Sequence, residues 1–257
     1  MPRRRPVPGP LAGRCVVLTR PVGSGRALAR RIAALGGEPL ELPTAALRGT
    51  GAGARAALAR ALRADVVIFT SAAAVRFARR IAPLVPAARS VVLAPGAATV
   101  RALARAGIAA EAPVLRSDSE GLLALPALRN VRGRQVAIVG APGGRGLLDA
   151  TLATRGARVE RVHVYERTLP RWRTLHHARA ARMDAQTLVL LSSAEALDNL
   201  RALLGVDGWR RARVATLVAS SPRIARLARN RGFTRVVRAS SALTDDMIEA
   251  ARRSVLC

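Results

Sequence analysis

The chain alternates short apolar runs with longer segments that have the spacing of amphipathic helices. Val66–Phe69 is an apolar run of strand length, and Ala72–Ile81 follows it with helical periodicity. The same alternation recurs, with further predicted strands at 16–19, 39–42, 91–93, 136–139, 188–191 and 214–218. Strands that lack polar alternation and are separated by helices are typical of parallel sheets covered on both faces. The sequence therefore predicts an α/β fold.

An internal repeat predicts that this fold occurs twice. Gly13 and Gly133 open similar segments 120 residues apart. The same offset relates further glycine pairs, namely Gly23 with Gly143 and Gly36 with Gly156. Segment 69–71 resembles 191–193, and 96–107 resembles 221–232, at slightly larger offsets that small loop insertions would produce. A duplicated unit of this size predicts two similar lobes with parallel sheets flanked by helices, and 257 residues are enough for two small domains.

The charge of the chain favours an anionic ligand without naming it. The formal net charge is +27, and every basic residue is arginine, which suits carboxylate and phosphate groups. Nucleic acid is one candidate anion. However, aromatic residues make up only 2% of the chain, and the arginines are spread through amphipathic segments rather than along one stripe. We therefore expect no specific nucleic-acid partner, and much of the arginine is expected to be solvated helix surface.

The residues that usually carry metal, disulfide or nucleophile chemistry are poorly placed. Cys15 and Cys257 lie at opposite ends, and His176 and His177 are adjacent and diverge on a helix. The glycine-rich loop 140–146 lacks the dinucleotide-binding spacing, and no Gly-x-Ser-x-Gly motif occurs. No apolar run approaches the roughly 20 residues of a membrane span. We therefore expect no cofactor, no metal and no membrane association, and a cytoplasmic location.

Small polar or glycine residues follow six of the predicted strands. Ligands of open α/β sheets bind beyond the carboxyl ends of the strands, where hydroxyls and helix N termini suit carboxylates. A single serine or threonine at such a place can be only a helix N-cap. Six such places together favour a cleft lined by anion-binding groups: Thr19-Arg20, Thr70-Ser71, Pro95-Gly96, 140–144, Ser192-Ser193 and Ser220-Ser221.

The ordered succession of these motifs resembles the uroporphyrinogen-III synthase family, over roughly residues 13–250. The best local pair is Ser119-Glu-Gly-Leu-Leu123 followed by Val164-Tyr-Glu-Arg167. The other matching pieces are Val17-Leu-Thr-Arg-Pro21, Asp65-Val-Val-Ile-Phe-Thr-Ser71, Gly96-Ala-Ala-Thr99, the loop 140–146, Ser192-Ser193 and Ser220-Ser221-Pro222.

The resemblance implies a bilobal protein with an active-site cleft between the lobes. Lobe 1 would comprise residues 1–42 with 167–257, lobe 2 would comprise 43–166, and a two-stranded linker would join them. The implied reaction cyclises hydroxymethylbilane with loss of water and inversion of the terminal pyrrole. Its substrate is a polycarboxylate, which suits an arginine-rich and hydroxyl-rich cleft. We expect a monomer that needs no cofactor. A non-catalytic bilobal binder of an anionic small molecule is the alternative.

The resemblance also implies roles for particular residues. Tyr165 matches a recurring tyrosine of the family and is expected to donate a hydrogen bond to the leaving hydroxyl; the alternative is a buried structural tyrosine. Arg20 and Arg145 are candidates for ion pairing with substrate carboxylates. The hydroxyls expected to bind the substrate are those of Ser71, Thr99, Ser119, Ser192, Ser193 and Ser221. The counterpart of Thr99 in lobe 1 is Ile224, so any hydroxyl role there passes to Ser220 or Ser221.

Overall fold

The computed structural model describes residues 9–116, 118–143 and 146–256. Its strands are β1 (Cys15–Leu18), β2 (Glu38–Glu41), β3 (Ala46–Gly49), β4 (Val66–Phe69), β5 (Val91–Leu93), β6 (Gln135–Gly140), β7 (Arg158–His163), β8 (Tyr165–Thr168), β9 (Leu188–Leu191), β10 (Thr216–Ala219) and β11 (Arg235–Arg238). Its helices are α1 (Arg26–Ala34), α2 (Arg55–Ala61), α3 (Ala72–Ile81), α4 (Ala97–Ala104), α5 (Ser119–Ala124), α6 (Pro126–Arg129), α7 (Leu147–Thr154), α8 (Thr174–Ala181), α9 (Ala194–Val214), α10 (Pro222–Asn230) and α11 (Thr244–Leu256), with a 3₁₀ turn at Ala52–Ala54.

The chain divides into two compact units. Unit 1 comprises Met1–Ala46 and Thr168–Cys257, and unit 2 comprises Leu47–Arg167. Each unit holds its own parallel sheet and its own hydrophobic clusters, described separately below. No helix in the described ranges has the length and apolarity needed to cross a membrane.

Unit 1 is built on a five-stranded sheet in the order β11-β10-β9-β1-β2. All four strand pairings are parallel, and β1 pairs with both β2 and β9. Alternate residues of β1 enter different clusters, since Val17 packs with Leu40 and Val189 whereas Val16 packs with Leu188. Both faces of the sheet are therefore buried, as the absence of polar alternation predicts.

Unit 2 has a four-stranded parallel sheet in the order β5-β4-β6-β7. Here too the strands contribute to two clusters, with Val67 and Phe69 on one face and Val66 and Ile68 on the other. The predicted α/β class with helix-covered parallel sheets is confirmed.

A separate two-stranded sheet pairs β3 with β8. Just beyond β3, the Thr50 amide donates to the Val164 carbonyl at 3.3 Å, and the Thr50 hydroxyl donates to the His163 carbonyl at 2.7 Å. The boundaries between the two units along the sequence fall inside these two strands. This pairing sets the position of Tyr165, the first residue of β8.

The glycines of the internal repeat have matching backbone conformations. Gly13 and Gly133 have φ values of 73° and 72°, and Gly36 and Gly156 have values of 81° and 79°. These angles lie in the left-handed region that favours glycine. The repeated positions therefore share a geometric requirement as well as a residue type.

Several strands differ from the sequence prediction, which lacks β3 and β8 altogether. The strand predicted at 214–218 begins only at Thr216, because Val214 is the last residue of α9. The edge strand β11 was not predicted, since Arg235 and Arg238 at its ends are exposed and break the apolar run.

Candidate active site

The strand order in unit 2 reverses between β4 and β6. The chain runs from β4 through α3 to β5 on one side, and from β6 through α7 to β7 on the other. The loops after β4 and β6 therefore lie side by side at the point where ligands bind in open α/β sheets. The approach is close, because a Cβ added to Gly140 would lie 2.2 Å from the Thr70 Oγ1 atom.

Ser71 follows β4 and is the N-cap of α3. Its φ and ψ of −168° and 160° are extended, and its Oγ accepts a hydrogen bond from the Ala74 amide at 3.0 Å. Capping uses an oxygen lone pair and leaves the hydroxyl proton available to donate. The half-buried Ser71 side chain can therefore cap the helix and donate a hydrogen bond at the same time.

Tyr165 lies beside this cap. Its side chain is only 3% exposed, and its ring stacks on Phe77 with 5.2 Å between centroids and 17° between planes. The Tyr165 hydroxyl lies 3.2 Å from Ser71 Oγ, and either atom can be the donor. The ring thus belongs to the core, and the hydroxyl is the part that meets the carboxyl edge of the sheet.

The guanidinium groups of Arg76 and Arg80 each lie 5.3 Å from the centroid of the Phe77 ring. A cation over an aromatic face is attracted by the ring quadrupole. These contacts help to fix Phe77, on which the Tyr165 ring rests.

The other predicted residues of unit 2 differ in accessibility. Thr99 lies in the first turn of α4 and is only 4% exposed, and its amide donates to the Gly96 carbonyl at 3.0 Å. Ser119 is half-buried at the start of α5, but Asp118 is the cap of that helix and accepts from the Gly121 amide at 2.9 Å. The predicted Arg145 lies outside the described residues.

In unit 1 the strand order reverses between β1 and β9. Thr19 follows β1, is buried, and donates to the Leu190 carbonyl of β9 at 2.8 Å. Arg20 is half-buried and its Nη2 donates to Thr244 Oγ1, at the start of α11, at 3.1 Å. Burial lowers the pKa of the Arg20 guanidinium, so its charged form would gain from an anionic partner.

Two further helices of unit 1 begin at this edge with serine caps. Ser193 Oγ accepts from the Ala196 amide at 3.1 Å, and Ser221 Oγ accepts from the Ile224 amide at 3.4 Å. Ser192 is exposed, and its carbonyl accepts from the Ser220 hydroxyl at 3.2 Å. These contacts join the ends of the neighbouring strands β9 and β10.

Among the described residues, most of the predicted ones fall into two groups, one at the carboxyl edge of each sheet. In unit 2, Ser71 and Tyr165 are in contact; in unit 1, Arg20 and the serines after β9 and β10 follow neighbouring strands. The sequence pattern does not reveal Thr244, because it follows β11, whose charged ends hide the strand. Phe77 carries only the signal of an apolar position within a helix.

Within the described ranges, no group of three His, Cys, Asp or Glu side chains is arranged to hold a metal ion. The groups at both edges are hydroxyls, backbone amides and a guanidinium. Such groups can hold carboxylates and donate hydrogen bonds.

Comparisons with known proteins agree on one family. The family model described as "Uroporphyrinogen-III synthase HemD" matches residues 26–249. A uroporphyrinogen-III synthase of Salmonella typhimurium is 32% identical over 255 residues, which cover 91% of this chain and 98% of that protein.

Two solved structures show that the fold is also shared. A mutant uroporphyrinogen III synthase of Thermus thermophilus is 22% identical, with a TM-score of 0.59 over 95% of this chain and 98% of that one. A uroporphyrinogen-III synthetase of Helicobacter pylori is 12% identical, with a TM-score of 0.60 over 95% and 99%. The family match over most of the chain, the Salmonella relative and this common fold lead to one conclusion: the chain belongs to the uroporphyrinogen-III synthase family.

Proposed function

We propose that the two carboxyl edges hold hydroxymethylbilane while the chain carries out the family's reaction. The family's reaction is that of uroporphyrinogen-III synthase, a hydro-lyase step of heme biosynthesis. Hydroxymethylbilane carries an acetate and a propionate on every pyrrole, so it presents carboxylates along its whole length. Hydroxyls and an arginine at strand ends are suitable partners for such a ligand.

The single observation that carries the proposal is the pair of hydroxyls at 3.2 Å formed by Ser71 and Tyr165. The reaction begins when the hydroxymethyl C–O bond breaks, pushed by the electron pair of the pyrrole nitrogen, while a proton is donated to the departing oxygen; an azafulvenium cation and water result. A hydrogen-bond donor beside the leaving oxygen assists this departure. Tyr165 is the donor in our proposal, because a phenol is a better proton donor than an aliphatic hydroxyl.

The local hydrogen bonds give this pair a direction. Ser71 Oγ already accepts from the Ala74 amide. If the Ser71 proton is donated to the Tyr165 oxygen, the phenolic proton stays free for the leaving hydroxyl of the substrate. Tyr165 is then the catalytic donor, and Ser71 orients it and contributes a polar contact at the edge.

Ring closure depends on the conformation of the bound chain. The terminal pyrrole attacks the azafulvenium carbon through its substituted position, and the resulting spiro intermediate fragments and recloses with that ring inverted. The final closure releases one proton from the pyrrole, which replaces the proton given to the departing oxygen. Uncatalysed closure gives the unrotated type I isomer, so the enzyme must hold a bent conformer, which is a positioning effect.

The remaining predicted residues are assigned to substrate carboxylates. Arg20, exposed Ser192 and the capping residues Ser193 and Ser221 would bind them at the edge of unit 1. Thr99 and Ser119 would act at the edge of unit 2, where Thr99, like Tyr165, is almost fully buried and would contact the substrate through a small exposed area. Arg145 is proposed as a further partner of the substrate carboxylates. We also propose that the enzyme is a cytoplasmic monomer with no specific nucleic-acid partner.

The test is an isomer assay. Freshly prepared hydroxymethylbilane is incubated with the purified full chain, the products are oxidised, and the uroporphyrin isomers are separated. We expect the type III isomer in excess over the type I isomer formed in a protein-free control. Type I alone would show a binder of anions that does not direct the closure.

A further inference from the structure

A pocket of about 750 Å³ lies in unit 1, on the surface between α9 and the turn after α10. Its lining contains one carboxylate, that of Asp198, and four arginines: Arg201, Arg210, Arg213 and Arg231. The helix α10 starts at the Ser221 cap and ends at Asn230, which also lines the pocket. Nine helical residues span about 13 Å at roughly 1.5 Å each. The pocket is therefore at the opposite end of α10 from the carboxyl edge.

A break in α9 helps to shape this pocket. Gly205 has φ 64° and ψ −170°, so the helix is interrupted there and resumes with Val206. Trp209, which follows the break, is only 7% exposed and packs edge-on against Phe233 with centroids 5.4 Å apart. The pocket thus has a fixed aromatic wall as well as charged side chains.

Arg213 is the least satisfied of the four arginines. Its Nε atom is buried and has no hydrogen-bond partner among the described residues. The side chain lies directly against Gly232, where an added Cβ would be 2.8 Å from both Cδ and Nη1 of Arg213. A buried donor on a charged group is unfavourable when it is left without an acceptor. The rest of the guanidinium lines the pocket, where an oxyanion would offset its charge.

The other charges leave a positive excess. Arg231 is paired with Asp198 at 2.8 Å, and Arg210 lies 3.7 Å from Asp207, three residues before it. In the part of the chain that the structure describes, neither Arg201 nor Arg213 has an ion-pair partner. Two guanidinium groups are therefore available to an anion, and the ion pair with Asp198 holds a third at the rim.

We propose that this pocket binds a small multivalent oxyanion, at a site separate from the carboxyl-edge residues. The shared chemistry is a group of anionic oxygens that accepts hydrogen bonds from several of the guanidinium groups lining the pocket. Phosphate esters and polycarboxylates both have this chemistry, and the experiment below separates them.

The test uses Trp209 as the reporter. The chain has two tryptophans, so the Trp172→Phe variant leaves Trp209 as its only indole. This full-length variant is titrated with pyrophosphate, with citrate and with sodium chloride at matched ionic strength, and fluorescence is recorded. We expect a saturable change with pyrophosphate or citrate and none with chloride. The arm that saturates at the lower concentration identifies the phosphate or the carboxylate class.

Substitutions locate the binding. Arg213→Gln in the same background is expected to weaken binding about tenfold or more, as loss of a charge-assisted hydrogen bond would. The matched control is Arg226→Gln, an exposed arginine of α10 outside the pocket, which should bind as the parent does. Arg201→Gln removes an exposed arginine of the pocket and should weaken binding severalfold. This variant tests the proposal if Arg213→Gln does not fold. Absence of saturation with both anions, or equal affinity in the pocket and control variants, would overturn the proposal.

Discussion

The carboxyl edges of the two sheets have the same kind of serine cap but carry different functional groups. Ser71 in unit 2 and Ser193 in unit 1 are related by the internal repeat, and each accepts a hydrogen bond from the amide three residues further on. Ser71 also has the Tyr165 hydroxyl at 3.2 Å. At the ends of the strands that open the repeat, unit 1 has Arg20 where unit 2 has Gly140. The two edges therefore share a serine cap, and they differ in the tyrosine hydroxyl of unit 2 and the arginine of unit 1.

Two further pairs of positions related by the repeat also differ between the units. The cap Ser221 in unit 1 corresponds to Gly96 in unit 2, and Ile224 corresponds to Thr99. Ile224 is buried, with its amide bound by the Ser221 hydroxyl, whereas α4 has no side-chain cap at Gly96. Unit 1 therefore has a hydroxyl at the cap position, on Ser221, whereas unit 2 has one in the first turn of the helix, on Thr99.

The largest expected difference between the two edges is the contribution of Tyr165 to turnover. We expect Tyr165→Phe to lower kcat about a hundredfold, which is within the range for loss of a proton donor. The product should remain the type III isomer, because other groups hold the substrate. Steady-state kinetics with hydroxymethylbilane measure kcat, and separation of the oxidised products identifies the isomer. Wild-type turnover in this variant would remove Tyr165 from the chemistry and leave it as a core residue.

The close approach of Thr70 to Gly140 is a second distinguishing feature of unit 2. Gly140→Ala should lower the free energy of unfolding by about 1–3 kcal/mol, because the new Cβ overlaps the Thr70 Oγ1 atom. Urea unfolding measures the change. Gly53→Ala is the matched control, since nothing lies within 4 Å of a Cβ there, and it should change stability by less than about 0.5 kcal/mol. Equal effects would show that the β4 and β6 ends are not in close contact.

The smallest expected effect is that of one ion pair in each unit on the acid dependence of stability. In unit 2, the hydrogen bond from Arg161 lowers the pKa of Asp149 below its ordinary value of 3.8. A carboxylate with a lowered folded-state pKa adds stability above the unfolded value, and this stability is lost as the pH falls through the folded value. The urea midpoint of the wild type should therefore fall more between pH 5 and pH 3 than that of Asp149→Asn.

The corresponding comparison in unit 1 uses Glu38, whose pKa is lowered by the hydrogen bonds from Arg182. This pair is more exposed than Asp149 and Arg161, so water screens it more. Glu38→Gln should change the acid dependence of the midpoint less than Asp149→Asn does. The opposite order would mean that the partial burial of the unit 2 pair has no energetic consequence.

The parts of the fold that the sequence predicts best are those whose environment is uniform. Val66–Phe69 and Leu188–Leu191 are buried at every position, so their apolar runs mark the strand ends correctly. The edge strand β11 has water on part of its surface, and Arg235 and Arg238 conceal it. Local patterning thus identifies the central parallel strands and the edge strands β2 and β5, and it misses β11, whose ends are charged.

The candidate site divides in a similar way. Ser71 and Ser193 are identifiable as helix caps because each comes directly after a buried strand. The contact of Ser71 with Tyr165 joins residues 94 positions apart, and that of Arg20 with Thr244 joins residues 224 apart. Such pairs depend on strand order and on the pairing of β3 with β8, which no local pattern contains.

The most direct test of the central claim compares Ser71→Ala with Ser193→Ala. Both variants lose one capping hydrogen bond, so each should be destabilised by about 1 kcal/mol. Only Ser71→Ala removes the partner of the Tyr165 hydroxyl, and we expect its kcat to fall about tenfold further than that of Ser193→Ala. Equal turnover in the two variants, at equal stability, would contradict the assignment of the chemistry to the edge of unit 2.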